Sequence, residues 1–326
     1  MKKILIFVLI LTLCFTLLAL GGEEECIVIC SSAEAYRNDA LQEQLGMRFP
    51  DKNIVVMYMP TGKLASKVYA EGSTCQVDIL LGLETGYLSK LESQLEDLSK
   101  FETLPYMDGL DLHSNGDKWV TWERQAGAII VNETVLAKHG LPIPHTYSDL
   151  LNPCYKGLIA MPDPKSSGTG FFFYKSWVNT MGEDAALAYV DQLRSNLKQF
   201  TESGSGPIKL LKQGEVAIGL ALTFQAVSEI NAGQPFRIIF PETGSPYSLT
   251  GTALLKGKSQ DPEVCEVFDY IIHDFLSYDK EYFSPEPIYH GQKNHIENYP
   301  SQIPYADMDG IQSREEKERL LALWKY

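Results

Sequence analysis

Cysteine is scarce in this chain, with six in 326 residues, and one of them, Cys14, sits in an apolar leading run. The other five, Cys26, Cys30, Cys75, Cys154 and Cys265, are too few and too scattered for a disulfide framework. Cys26 and Cys30 fall on one expected strand, about 13 Å apart at 3.3 Å per residue, which excludes a bridge between them. Burial as small apolar groups is their expected role. Histidine is equally thin. His113, His139, His145, His273, His290 and His295 show neither HExxH nor any other metal-ligand spacing, so no metal site is expected. No serine stands in G-x-S-x-G, which leaves catalysis without a legible nucleophile and argues against an enzyme. Nucleotide signatures are missing too. "GTALLKGKS" ends like a P-loop, but Gly251 is one residue too far from Gly257, and G-x-G-x-x-G follows no strand. No cofactor is expected.

Positive charge is also short. Lysines and arginines number 28 against 42 acids, a net charge of -14. Loss of Lys2 and Lys3 with a cleaved leader takes 28 to 26, against the same 42, or -16. Such a surface repels a nucleic-acid duplex and an anionic bilayer. Repeats, low-complexity tracts and Ser/Gly- or Pro-rich linkers are absent, which excludes a string of tethered modules. With 44% hydrophobic and 21% charged residues, the composition is globular. A single core stops growing near roughly 250–300 residues, so two domains are expected.

What is present begins with an export signal. Lys2 and Lys3 precede "ILIFVLILTLCFTLLALGG", and "EEE" follows, the charge-then-apolar order of a leader over 1–21. Cleavage near Ala19-Leu20-Gly21 departs from A-x-A, and about 18 apolar residues also suffice for an anchor. Periplasmic release and surface anchoring both stay open. A lipid anchor needs small residues before its cysteine, whereas "LTLC" places Leu before Cys14.

Beyond the leader, "CIVIC", the amphipathic "SSAEAYRNDALQEQLGMRFP" and "NIVVMYM" read as strand, helix, strand. "VDILLGLETGYLSKL" repeats the pattern, with a helix start at Thr85 and Gly86. "AIIVN" is a buried strand, Gly140 a helix stop, and "FFFYKSWVNTMG" a helix opening near Phe171. Alternation of this kind is an α/β fold with helices on both sheet faces.

Four strand ends carry small polar residues ahead of helices. "MPDPKSSGTGFFFY" offers Ser166, Ser167, Gly168, Thr169 and Gly170, and "FTESGSGPIKLL" offers Ser203, Gly204, Ser205 and Gly206, with Pro207 suited to a first turn. "MPTGKLASKV" adds Thr61, and "CSSAEAYR" adds Ser32. Helix starts expose unpaired N–H groups and partial positive charge, and Gly allows close approach, so an anion is the natural guest. Capping alone explains any single turn. Four exceed what caps require, and strand ends of open α/β sheets line ligand crevices. Glu84, Glu123, Arg124 and Gln225 lie beside apolar strands, as ligand contacts or as partners in interlobe hydrogen bonds and ion pairs. Tyr36, Trp122 and Tyr247 lie near strand ends, either flanking a ligand or packing.

Together the leader, "IVICSSAEAYRNDALQEQL", "WERQAGAIIVN", "LLNPCYKGLIAMPDPKSSGTG" and "LKQGEVAIGLALTFQAV" resemble the extracellular solute-binding proteins of ABC importers. The resemblance spans about residues 27–280 and is nearest to the branch of ferric-ion, sugar-phosphate and aminoethylphosphonate binders. It implies a two-lobed type 2 periplasmic-binding-protein fold, two α/β sheets joined by two crossover strands around a ligand cleft. On it, 27–125 with 243–326 form lobe one and 126–242 lobe two. Ser166–Gly170 and Ser203–Gly206 hold the ligand from lobe two; Ser32, Thr61 and Glu84 hold it from lobe one. The resemblance further implies a monomer that closes by hinge motion and docks a membrane permease and ATPase. Ferric binders of the branch carry adjacent tyrosines after the strand matching "VAIGLAL". Here Thr223-Phe224-Gln225 stands instead, and a phosphorylated or phosphonate solute is the expected ligand. An iron receptor with a bound anion, and a hydrolase or transferase on the same fold, are the alternatives.

Overall fold

The alternating pattern becomes a mixed nine-stranded sheet in the computed structural model, which describes residues 26–110 and 118–326. The leader at 1–21 and His113 lie outside the described residues. The chain opens with β1 (Ile27–Ser31), α1 (Ala35–Arg48), β2 (Ile54–Tyr58), α2 (Thr61–Glu71), β3 (Ile79–Glu84) and α3 (Thr85–Leu91). Each helix carries the chain back to start another parallel strand, so β1 pairs with β2 on one side and β3 on the other. β3 is buried along its whole length, as an interior strand must be, whereas β2 buries only Ile54 and forms the sheet edge.

Next come β4 (Val120–Asn132), α4 (Glu133–His139), β5 (Ile159–Pro162), α5 (Gly168–Met181), α6 (Glu183–Leu193) and β6 (Leu197–Thr201). They are followed by α7 (Gly206–Lys212), β7 (Ile218–Leu222), α8 (Thr223–Asn231) and β8 (Phe236–Ile239). β9 (Tyr247–Leu254) returns to the first sheet, and α9 (Pro262–Tyr270), α10 (Leu276–Tyr282) and α11 (Arg314–Leu323) complete the chain. The strand order is β2-β1-β3-β9-β4-β7-β5-β6, with β8 also on β4.

β4 is the spine between the lobes. Val120–Ala126 pairs with β9, and Gly127–Val131 pairs with β7. The handover falls at Gly127, where a Cβ would lie 2.6 Å from the Phe172 ring and 2.7 Å from the Phe173 ring. Only glycine lets the α5 aromatics press that close. The second crossing is the 240–246 segment, pinned where the Ser245 hydroxyl donates to the Gly127 carbonyl at 2.6 Å.

Each sheet is covered on both faces. Leu41 of α1, Trp122 of β4 and Phe268 of α9 form one core of the first sheet, and Leu64, Val68 and Leu88 of α2 and α3 form the other. The second sheet buries Phe171, Phe172, Phe173 and Trp177 of α5 on one face, and Ile208, Leu211 and Ala226 on the opposite face. Apolar burial of this extent is the main force holding each lobe. We propose the expected lobe boundaries at 125/126 and 242/243 for the strands. The end of the chain packs otherwise: Ala306, Met308, Ile311, Leu320 and Trp324 join the second lobe's core, because Trp324 finds Tyr174 at 5.0 Å between ring centroids and Phe200 at 5.6 Å. Cys30 and Cys75 are buried as expected, whereas Cys26 and Cys154 are exposed and Cys265 is half-buried.

Candidate functional site

A strand's C-terminal end and the start of its following helix face the same sheet edge, so the βα turns of the two lobes oppose one another. Between them lies a cleft of about 260 Å³. Of the residues expected there, Ser32, Thr61, Glu84, Ser166, Ser167, Gly168, Thr169, Ser203, Gly204, Ser205 and Gln225 line it. Gly170, Gly206 and Thr223 do not.

The second lobe supplies two touching turns. α5 starts at Gly168, three residues before the expected Phe171, because extended Ser167 caps it: its Oγ accepts from Gly170 N at 3.4 Å. Gly168 to Gly170 are therefore the first helical turn and not loop. Capping uses the Ser167 oxygen as acceptor and leaves its hydroxyl hydrogen for another partner. Gly170 stands behind the cleft, where a Cβ would meet Pro162 O and Asp163 C at 2.6 Å. Its glycine serves packing.

Ser166 Oγ donates to Glu202 O at 2.9 Å and so ties this turn to the next. At Gly204 a Cβ would lie 2.3 Å from Thr169 Oγ1, so only glycine lets the two turns meet. Ser203 and Ser205 Oγ stand 3.2 Å apart beside them. Gly206 backs onto Thr201, where a Cβ would lie 2.3 Å from Thr201 Cβ, and shapes the turn from outside the cleft. α7 has only seven residues, so this turn offers hydroxyls more than a helix dipole. Thr223, the first residue of α8, is buried below the cleft wall.

On the first lobe Ser32 Oγ donates to Gly82 O at 2.5 Å, and Thr61 begins α2. Glu84 is already occupied. One carboxylate oxygen accepts from Gly86 N at 3.0 Å, capping α3, and the other pairs with Lys317 of α11. Of its two expected roles, ion pairing is the one seen. Glu123 is likewise structural. Burial would raise its pKa, but Arg37 and Lys280 hold the carboxyl at about 2. Arg124 bonds Glu286 at 3.0 Å and lies over Tyr305. Tyr36 reaches the cleft, whereas Trp122 stacks on Phe275 in the core and Tyr247 packs against Tyr305.

Several lining residues escaped the sequence reading: Glu34, Tyr58, Gln125, Lys209, Glu229 and Thr250. Glu34 was within reach, since it precedes α1 directly and follows the Ser-rich turn after β1. Gln125 and Thr250 lie within the crossing strands, where no strand-end signal marks them. Glu34 is half-buried, and desolvation raises its pKa against the pull of Arg37. Its Oε1 accepts from Gln225 Nε2 across the lobes. Lys63 with Glu202 at 3.1 Å, and Tyr87 OH donating to Lys165 O at 3.3 Å, make further contacts between the lobes. These contacts draw the two lobes together over the cleft. Among the described residues no three His, Cys, Asp or Glu side chains gather in a metal-holding group.

Two lobes on a shared spine, with paired turns facing a closed cleft, define a ligand-binding protein. Residues 77–312 match the family described as bacterial extracellular solute-binding protein, and the chain belongs to that family. In structure it is similar to the periplasmic binding protein P5PA, at 22% identity and TM-score 0.80, covering 92% of this chain and 98% of that one. It is equally similar to AfuA of Actinobacillus pleuropneumoniae, solved with fructose-6-phosphate bound, at 22% identity and TM-score 0.80 over 91% and 97% of the two chains. The apo ferric ion-binding protein A of Pasteurella haemolytica follows at 15% identity and TM-score 0.72, over 92% and 97%. These likenesses establish the type 2 periplasmic-binding-protein fold. A 128-residue stretch is 34% identical to an uncharacterised protein of Haemophilus influenzae, spanning 39% of this chain and 37% of that protein.

Proposed function

We propose that this protein is the exported receptor of an ABC importer, that it captures a small phosphorylated or phosphonate solute between its lobes, and that it presents the closed form to a membrane permease. The observation that carries this reading is the contact between the two second-lobe turns at Gly204 and Thr169, which gathers the hydroxyls of Ser167, Thr169, Ser203 and Ser205 on one wall. Ser167 and Thr169 are each only 4% exposed, so an anion there is shielded from water. The opening of fourteen-residue α5 adds unpaired N–H groups and partial positive charge. Lys209 on the same lining adds a cation to these neutral donors. Closure follows because ligand contacts to both lobes favour the shut state.

Phe224 has no oxygen to offer iron, and the two phenols on the cleft wall, Tyr36 and Tyr58, both belong to the first lobe. The reading therefore favours a phosphate ester over ferric ion. Calorimetric titration with sugar phosphates, alkylphosphonates and ferric citrate decides it. Binding of the first two classes, lost in Ser167→Ala/Thr169→Val while the fold is retained, is the expected result. Binding of ferric ion alone, with a visible charge-transfer band, overturns it. Turnover of the phosphate ester would return the hydrolase alternative.

A further inference from the structure

Besides the hydroxyl-rich wall, the cleft lining includes the polar residues Glu34, Gln125, Gln225 and Thr250. Most of its hydrogen-bonding capacity is spent. Glu34 accepts from Gln225 on one oxygen and from Arg37 at 3.0 Å on the other, and Gln125 Nε2 donates to Glu123 at 2.5 Å. Two atoms have nothing: Gln225 Oε1 and Thr250 Oγ1 are buried without a hydrogen-bond partner, on residues 5% and 1% exposed. A buried polar atom left unpaired costs about 1–3 kcal/mol, so two of them on residues that line the same cleft call for a partner.

Charge narrows what that partner is. The carboxylates on the lining are Glu34, Glu84 and Glu229; Glu84 pairs with Lys317 and Glu229 with Lys212, whereas Glu34 shares Arg37 with Glu123 and Asp279, and desolvation raises its pKa towards the neutral form. Thr250 also has a hydroxyl hydrogen to give, which an ammonium group cannot accept and a ligand hydroxyl can. What remains open is an amide oxygen that only accepts and a hydroxyl that both donates and accepts. Thr250 lies in the cleft floor, paired through β9 with Glu84 of β3 and Glu123 of β4, so its position is set by three strands.

We infer that Gln225 Oε1 and Thr250 Oγ1 form a specificity subsite that reads neutral hydroxyl groups on the tail of the solute whose anionic head sits at Ser167 and Thr169. Gln225 does two things at once: its Nε2 holds Glu34 of the opposite lobe and its Oε1 meets the ligand. A hydroxylated tail thereby stabilises the residue that latches the lobes. An alkyl tail of the same length and charge leaves both atoms unpaired and is rejected, as sites built to bond a hydroxyl reject analogues lacking it. The inference rests on the phosphate reading above.

The test uses two six-carbon phosphate monoesters, sorbitol 6-phosphate and n-hexyl phosphate, titrated calorimetrically into the mature chain, Thr250→Val and Gln225→Met. The expected result is that sorbitol 6-phosphate binds the unmodified protein at least about tenfold more tightly than hexyl phosphate. Thr250→Val, nearly isosteric, should shrink that ratio severalfold while keeping its melting temperature and leaving hexyl phosphate affinity within about twofold; Gln225→Met, which also removes the bond to Glu34, should weaken both probes and sorbitol 6-phosphate the more. Equal binding of the two probes, or an unchanged ratio in both variants, overturns the subsite while leaving the phosphate reading intact. Failure of both probes to bind the unmodified protein overturns the phosphate reading and the subsite with it.

Discussion

Glu84 at the end of β3 and Lys317 on α11 form a buried ion pair between residues 233 positions apart in the chain. Lys317 Nζ also lies 3.9 Å from the Tyr87 ring centroid and 4.2 Å from that of Phe171, so one ammonium touches both lobes. Burial lowers its pKa, and the Glu84 carboxylate opposes that fall. Lys317→Met should cost about 3–5 kcal/mol, because it strands a buried carboxylate. The double variant with Glu84→Gln should recover most of that loss in urea unfolding. Equal losses in single and double variants would show that the pair acts through packing alone.

Gly204→Ala places a Cβ 2.3 Å from Thr169 Oγ1 and must part the two turns. Affinity for phosphate esters should fall by at least about tenfold, the size expected when close binding contacts are lost. Melting temperature should change little, since the turn lies outside the lobe's apolar core. Undiminished affinity would show that the turns need not touch to bind.

Acid should loosen the first lobe by a route that Glu123 identifies. Its carboxyl is held at about 2, below the ordinary 4.5, by Arg37 and Lys280. A depressed carboxylate contributes stability that is complete above its unfolded pKa and lost as pH falls through its folded one. The window is therefore pH 4.5 down to about 2. Glu34, raised by burial, works oppositely and loses its contribution as pH rises. Unfolding free energy measured across the acid window should drop less steeply in Glu123→Gln than in the unmodified protein. Parallel slopes would remove Glu123 from the explanation.

A fourth outcome concerns the sheet edge. Gln42 of α1 donates to Ile54 O and accepts from Val56 N, both at 2.9 Å, occupying backbone groups of β2 that no strand covers. Val55, Met57 and the nearby Met47 are exposed. Gln42→Ala should free that edge and promote concentration-dependent association, seen by light scattering.

The alternation of strands and helices, the four small-residue turns and their meeting at one crevice were legible because strand ends and helix starts carry local signals. Gly168–Gly170 were misplaced as loop, since a capped helix beginning with two glycines in three residues mimics a turn. Thr250 and Gln125 were invisible for a different reason. A polar residue inside a crossing strand looks like a sheet surface position until the second lobe folds over it. Arg37 shows the same limit: its partners Glu123 and Asp279 lie 86 and 242 residues away, and only topology brings them together. The packing of α11 on the second lobe was hidden too, because amphipathicity says that a helix docks and not where.

That docking changes how the two halves can swing. β4 and the 240–246 segment are covalent crossings, and a molecule joined only by them would rock through a continuum of angles. The C-terminal helix adds a third attachment, rooted in one half by Trp324 and clasped to the other by Lys317. Separation at that point must either rupture a charge pair sheltered from water or lift an indole out of its aromatic nest. Any parting of the halves at that point therefore has to break the clasp first, an added barrier that two covalent crossings alone would not impose.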